Sequence, residues 1–282
     1  MVKRRSLLGA AALAPLLGCQ PAERPMTGGF TGTDMARGHA LRDRSGGVPA
    51  PARTLRTGVV IAGGGVAGLA AARALRQRGV DDFVLLELED GAGGNSRGGV
   101  VGGIACPLGA HYLPVPGDAA PDVQDLLEEF GLRQRVAGRW VYDERHLCHS
   151  PQERLFFDGG DGWHWQEGLL PVQGVGPATL AQYQRFATLV AQAQKAAAFT
   201  IPMPNRPLAS VHSALDAITF EAWLNQQGLD DVHLRWYLGY CCRDDYGAGI
   251  ATVSAWAGIH YFASRHGFHA PGDGAGEAGD GL

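Results

Sequence analysis

Several features that mark whole classes of protein are missing from this sequence. Its five cysteines are Cys19, Cys106, Cys148, Cys241 and Cys242. No two form a C-x-x-C pair and none has a metal-like spacing to histidine, which excludes the common thiol-redox and zinc-ribbon patterns. His146, Cys148 and His149 crowd together, but on a predicted strand they point to alternate faces, so no metal site is expected. Adjacent Cys241 and Cys242 have only a strained vicinal disulfide open to them, and small buried thiols are the expectation. Basic residues are not in excess: 24 Lys and Arg stand against 28 Asp and Glu, a net charge of −4, so there is no electrostatic footprint for nucleic acid. The one uninterrupted apolar run is N-terminal and too short to span a bilayer.

Glycine, by contrast, is abundant, at 42 of 282 residues. That length suffices for one large or two modest domains. The chain starts Met-Val-Lys-Arg-Arg-Ser-Leu-Leu and runs on apolar to Leu17-Gly18-Cys19. A basic start, a short apolar core and a small residue before a cleavage point describe a secretory signal, to be set apart from the fold. Arg4-Arg5 followed by Ser6-Leu7-Leu8 looks like a twin-arginine signal, which addresses proteins already folded in the cytoplasm. Leu16-Leu17-Gly18-Cys19 resembles a bacterial lipobox, which puts a lipid on Cys19. The alternative is an ordinary cleavable signal with an incidental cysteine. From Gln20 to about Arg56 the chain is rich in Pro, Gly, Ala, Arg and Thr without sustained periodicity, as a flexible tether would be.

The stretch from Val59 to Arg97 organises the rest. Val59-Val60-Ile61-Ala62 has strand character and leads into Gly63-Gly64-Gly65-Val66-Ala67-Gly68. A helical pattern follows, with Leu69, Ala72, Leu75 and Arg76 at spacings of three and four. Gly79 closes it, and Phe83-Val84-Leu85-Leu86 reads as a second buried parallel strand ending in Glu87. A G-x-G-x-x-G match alone is as often an unliganded turn as a site; the strand–helix–strand order makes it a dinucleotide site. Gly63 allows the tight turn, Gly65 lets backbone approach a pyrophosphate, and Gly68 lets the helix pack against the strands. The helix N-terminus offers unpaired N–H groups to the phosphates. Glu87 stands where a carboxylate accepts from a ribose hydroxyl, and it disfavours a 2′-phosphate and hence NADP.

Gly93, Gly94, Asn95, Ser96 and Arg97 come next. With Glu87 they resemble the E-x-x-x-x-x-G-G-[RN] signature of flavin-dependent amine oxidases and their phytoene-desaturase-like relatives. The resemblance implies FAD, a glycine pair that continues the phosphate-binding surface, and an arginine that contacts the cofactor. The family arginine usually follows the glycine pair directly; here Asn95 holds that place and Arg97 comes two later. Pro107-Leu108-Gly109-Ala110-His111-Tyr112 is similar to the G-A-H-aromatic segment that runs past the flavin in monoamine and polyamine oxidases. On that ground Gly63, Gly65, Gly68, Glu87, Gly93, Gly94, Asn95, Arg97, Gly109 and Ala110 are expected to bind FAD. His111 and Tyr112 are the catalytic candidates, although a histidine that only satisfies backbone groups fits His111 as well. Many members of the family place a lysine beside the flavin. The lysines here are Lys3 and Lys195, and neither is in a plausible position. No second segment resembles the family's closing G-D motif.

Beyond the motifs, Asp118 to Gly131 has helical spacing and Arg139 to Trp165 reads as a small antiparallel meander. A long helix is expected from Pro177 to about Phe199, with Leu180, Tyr183, Phe186 and Val190 on its inner face. A short helix runs from an N-cap at Thr219 to Gln227, stopped by Gly228. Two aromatic-rich segments, Leu234 to Arg243 and Val253 to Ser264, flank CCRDDYGAG, which reads as a loop. Asp244 or Asp245 with the nearby tyrosines is a candidate for holding a cationic amine; core aromatics with charges at a helix end are the plainer reading.

The expected fold class is α/β: a Rossmann-like FAD-binding domain with a parallel βαβ sheet and an inserted, mostly helical substrate domain carrying the meander. The expected domains are a signal at 1–19, a linker at 20–55, the FAD segment at 56–116, a substrate or cap domain at 117–265 and a tail at 266–282. The tail lacks apolar periodicity and only two parallel strands are evident, so the chain is expected to be a C-terminally truncated, N-terminal part of a longer enzyme. The expected activity is that of an exported FAD-dependent oxidoreductase, amine-oxidase-like, that passes a hydride from a small or apolar substrate to flavin. Oxygen or a redox carrier would be the electron acceptor, the twin-arginine translocase a partner, and the periplasm or cell envelope the location. The alternatives are a FAD-dependent desaturase or isomerase of apolar lipids, and a flavin-free envelope lipoprotein serving as a binding or scaffold module.

Overall fold

Val59–Ala62 forms strand β1 and Phe83–Leu86 forms β2, paired in parallel with Val59 opposite Phe83 and Ala62 opposite Leu86. Parallel neighbours need a crossover of a dozen or so residues, and helix α2, Val66–Gln77, provides it. These positions come from a computed structural model that describes residues 28–29, 34–43, 50–148, 153–196, 199–203, 209–265 and 267–271. The expected signal at 1–19, with Arg4, Arg5 and Cys19, lies outside the described residues, as do His149 and the tail from residue 272 onward.

The described residues divide into two compact units, one ending at His111 and the other beginning at Tyr112. In the first, the βαβ element is followed by a hairpin, β3 Gly98–Val101 and β4 Ile104–Pro107. Its two-residue turn, Gly102-Gly103, has φ of 60° and 83°, the positive values that a type I′ hairpin requires. Two parallel strands cannot cover a helix and two sheet faces, and Val60 and Leu86 stay 61% and 57% exposed.

The region read as a featureless tether contains helix α1, Met35–Arg42. Asp34 caps it, its side chain accepting from the amides of Ala36 and Arg37, the N-cap arrangement that saturates the first free N–H groups of a helix. Composition hid this helix because it has no apolar face: none of its residues is buried.

The second unit opens with α3, Pro121–Glu129. The strands expected as one meander form two separate hairpins, β5 Arg133–Val136 with β6 Arg139–Tyr142, and β7 Arg154–Asp158 with β8 Trp163–Glu167. Between them His146 ends a single 3-10 turn, Glu144–His146, rather than lying on a strand. Asp143 nucleates that turn by accepting from the Arg145 amide.

The core is helical. It is built from α4 Pro177–Ala196, α5 Ser210–Asp216, α6 Phe220–Gln226, α7 Val232–Tyr246 and α8 Ala255–Ala263, with α8 touching each of the other four. The expected inner face of α4 is inside: Tyr183, Phe186 and Val190 are buried and Leu180 packs against them. Thr219 caps α6 as its sequence indicates, accepting from the Ala222 amide at 3.1 Å. α5 has no counterpart in the sequence reading.

CCRDDYGAG is not a loop. α7 continues through it to Tyr246 and stops where Gly247 turns left-handed. The cause is tertiary: Cys241 and Cys242 are both 1% exposed in the core, and Tyr246 donates its hydroxyl to the Ala257 carbonyl of α8 at 2.9 Å. Buried apolar contact holds a helix that the local run of charges does not suggest. Among the described residues no helix is long and apolar enough to cross a membrane.

Candidate functional site

The site in the first unit is assembled from three chain segments around the N-terminus of α2. Gly63 leaves β1 with φ 99°, a value costly for a side-chain-bearing residue, and its amide donates to Leu86 O of β2 at 2.7 Å. Gly65 is the N-cap of α2, so the amides that follow it are the helix's unsatisfied donors, pointing out of its positive end. A Cβ on Gly65 would meet nothing within 4 Å. A Cβ on Gly68, by contrast, would collide with the Gly63 carbonyl oxygen and lie 3.2 Å from Ile61 Cγ2. The two glycines therefore do different work: Gly68 closes the turn on itself, and Gly65 keeps an approach open.

Glu87 reaches back to this turn. Its Oε2 accepts from the Gly64 amide at 2.7 Å, and its Oε1 accepts from the amides of Leu88 at 2.7 Å and Glu89 at 2.9 Å. The hydrogen bonds from Glu89 and Gly64, more than the distant charge of Arg97, hold its carboxyl below the ordinary glutamate range. A carboxylate has about four lone-pair positions, so three backbone donors leave one for a ligand hydroxyl.

The glycine pair closes the third side. The Gly93 amide donates to Gly64 O at 2.7 Å, and a Cβ on Gly94 would lie 3.1 Å from Gly65 Cα. Gly94–Ser96 forms a 3-10 turn, after which Arg97 enters β3. The Arg97 Nε is buried without a hydrogen-bond partner, an arrangement that a folded protein rarely leaves uncompensated. Gly109 and Ala110 then return to the same place. The Ala110 amide donates to Asn95 O at 2.7 Å, and a side chain on Gly109 would collide with Asn95. All ten residues expected to bind the cofactor thus lie in this one unit, on segments joined by hydrogen bonds. His111 Nδ1 lies 3.0 Å from Gly109 O on an exposed ring, so its position follows from a backbone contact. Tyr112 begins the second unit and is 42% exposed.

In the second unit one of the two candidate amine-holding carboxylates is engaged elsewhere. Asp245 pairs with Arg265 at 3.0 Å. Tyr240 donates to Glu153 at 2.9 Å, and that bond, with burial, pushes its phenol up to about 12. Trp236 stacks on Tyr240. The thiols of Cys241 and Cys242 are free; burial raises them to about 12 and about 11, which keeps them protonated and unreactive. Among the described residues no group of three or more His, Cys, Asp or Glu is placed to hold a metal ion.

Sequence reading passed over a cavity of about 450 Å³ in this unit, lined by Leu113, Val115, Val123, Phe199 and Ile201 among others. Two hydroxyls on its wall are already engaged: Thr200 Oγ1 donates to Pro202 O at 2.8 Å and Ser264 Oγ to His260 O at 2.6 Å. No periodic pattern marks it, because its walls come from stretches about 80 and 60 residues apart.

Comparison with known proteins bears on the fold. Residues 61–130 match the NAD(P)-binding Rossmann-like domain. Over 156 residues the chain is 38% identical to a Baeyer-Villiger monooxygenase of Pseudomonas aeruginosa, a match that takes in 49% of this chain and 28% of that protein. Among solved structures, putrescine oxidase bound to putrescine superposes with a TM-score of 0.53 at 22% identity, covering 77% of this chain and 43% of that one. Its A394C mutant gives 0.54 over the same shares. The chain therefore spans less than half the length of these relatives. The fold is mixed α/β and Rossmann-like.

Proposed function

We propose that the first unit binds FAD and that the chain is part of an exported, amine-oxidase-like oxidoreductase that transfers a hydride from an apolar substrate to the flavin. The observation that carries this reading is the convergence of Gly64, Glu87 and Gly93-Gly94 on the open N-terminus of α2. The residues present fit the cofactor: the side of Gly65 is empty, Glu87 has one lone-pair position to spare, and the buried Arg97 Nε lacks a partner. NADP fits poorly, since Glu87, Glu89 and Asp90 would oppose a 2′-phosphate.

In this reading the α2 amides and Gly65 hold the pyrophosphate, Glu87 accepts from a ribose hydroxyl, and Arg97 donates to the cofactor. Bound FAD supplies the hydride acceptor, and the protein supplies orientation and a dry site. His111 and Tyr112 are proposed to border the reacting groups. An apolar rather than cationic substrate is favoured by the engagement of Asp245 and Glu153 with Arg265 and Tyr240. A desaturase or isomerase acting on an apolar lipid belongs to the same reading. Oxygen or a redox carrier would reoxidise the flavin.

The visible spectrum of the purified protein tests the proposal: a yellow protein whose flavin is bleached by an apolar substrate supports it. A folded, colourless protein that takes up no added FAD favours a flavin-free binding module instead. Glu87→Ala should weaken FAD binding roughly ten- to hundredfold, measured by flavin titration with the fold followed by circular dichroism. The pH dependence has a definite sign. Because the folded carboxyl lies below its ordinary value, its contribution is complete above that value and is lost as pH falls through the lowered one. FAD affinity in the wild type should therefore fall only on acidification beyond the ordinary glutamate range, and that step should be missing in Glu87→Ala.

Export is proposed to follow the twin-arginine route, with a lipid on Cys19 holding the mature protein at the envelope. Arg4 and Arg5 changed together to lysine should strand the precursor in the cytoplasm with its fold intact; normal export of that variant would point to the general secretory route.

A further inference from the structure

A cation from the segment before β1 faces the acidic run that follows Glu87. The Asp34 amide, at the cap of α1, donates to Glu89 Oε1 at 2.8 Å. Three residues on, Arg37 Nη1 lies 3.3 Å from Glu89 Oε2 and donates to Leu88 O at 3.4 Å. Its Nη2 donates to Asp90 Oδ2 at 3.1 Å, and Nη1 also stands 3.0 Å from Asp90 Oδ1. Both carboxylate oxygens of Glu89 are thus held by α1, and the next residue is held in a fork. These partners lie 51 to 55 positions away in sequence, so the contact is tertiary.

Residues 88 and 89 are also the ones whose amides hold Glu87. The chain of contacts is continuous: the Arg37 guanidinium fixes the 88–90 backbone and side chains, and the amides of Leu88 and Glu89 fix Glu87 Oε1. Glu87 Oε2 then faces the Gly64 amide in the glycine turn. Without the guanidinium, three carboxylates within four residues, Glu87, Glu89 and Asp90, would repel one another and spread the loop. A lone exposed ion pair contributes little, but a fork of several bonds on one guanidinium does more. Asp90 lies below the ordinary aspartate range chiefly through its hydrogen bond to Arg37, as a maintained contact requires.

We propose that Arg37 is a positioning residue for the cofactor carboxylate: α1 clamps the 88–90 loop, and the clamp aims Glu87 at the ribose. This rests on the flavin reading above. Helix α1 is then part of the cofactor site.

Arg37→Ala, Arg37→Lys and Glu89→Gln, made in the full chain, test it by two readouts. Hydrogen exchange in flavin-free protein reports the Leu88 and Glu89 amides directly. In Arg37→Ala these two should exchange about five- to tenfold faster, with the β1 amides of Val59–Ala62 unchanged, and FAD should bind weaker by a similar factor. Arg37→Lys, which keeps the charge but not the fork, should recover part of both effects. Combining Arg37→Ala with Glu89→Gln should cost less than the two changes summed, as contacting residues do. If FAD affinity and the two amides are unchanged in Arg37→Ala, the proposal is overturned and the flavin reading stands. Loosening that extends equally to β1 marks a general structural role and also overturns it. Wild-type protein that binds no FAD overturns both the proposal and the reading it rests on.

Discussion

Gly65→Val is expected to give a folded protein that has lost FAD, and Gly68→Val one whose first unit does not fold. Fingerprint position alone would class both as ligand-binding glycines. The backbone separates them. Gly65 has φ −74° and ψ −176°, extended values open to any residue, and the space beside it is empty. The Cβ of a valine there meets no neighbour, and its methyls occupy the approach to the α2 amides, so FAD affinity should fall at least a hundredfold, about 3 kcal/mol or more. At Gly68 the added carbon would meet the Gly63 carbonyl oxygen, which cannot move without breaking its turn onto β2. Overpacking of this kind costs about 1–3 kcal/mol in a core that can relax, and a two-stranded sheet with one helix has little stability to set against it. Far-ultraviolet circular dichroism, hydrogen exchange at β1 and flavin titration on both variants distinguish the outcomes. A Gly65→Val protein that purifies with full flavin occupancy would sink the cofactor assignment.

Phe186→Ala is expected to destabilise the second unit by about 3–5 kcal/mol. Phe186 is 0% exposed and is the ring on which the aromatic core converges. It meets Phe262 and Phe268 edge-on at centroid distances of 5.3 and 4.9 Å, and Phe220 at 6.4 Å. These rings come from α4, α6, α8 and the segment after α8, so no single neighbour can move in to fill the void. The gain from edge-to-face pairing, about 0.5–1.5 kcal/mol per pair, is lost as well. Urea unfolding followed by tryptophan fluorescence should move to lower denaturant. If the change costs under about 1 kcal/mol, the helices do not form one packed core.

The elements legible in the sequence are those whose signals are local. Val59–Ala62, the glycine turn, α2 and Phe83–Leu86 follow one another within 28 residues, and each carries its own punctuation in glycine and apolar period. The inner face of α4 and the Thr219 cap of α6 were legible for the same reason. Charge runs misled where burial was decided elsewhere in the chain: Arg243-Asp244-Asp245 reads as loop, yet it continues a helix that carries Cys241 and Cys242 into the core. α1 went unread because a helix without a buried face has no apolar period to display.

By itself, then, the sequence determined the βαβ turn, the ordered series Glu87, Gly93-Gly94, Arg97, Gly109-Ala110 and the periodicity of the main helices. These are properties of spacing, which survive in an extended chain. Only the tertiary structure decided that the Glu87 carboxylate closes on the Gly64 amide, that Ala110 returns to Asn95, that Gly65 faces open space while Gly68 does not, and that Arg37 grips the loop beyond Glu87. Each of these is a hydrogen bond or a steric limit set by the folded backbone. Their energies depend on distances that no linear spacing records, because they exist only once the backbone has brought the partners within about 3 Å.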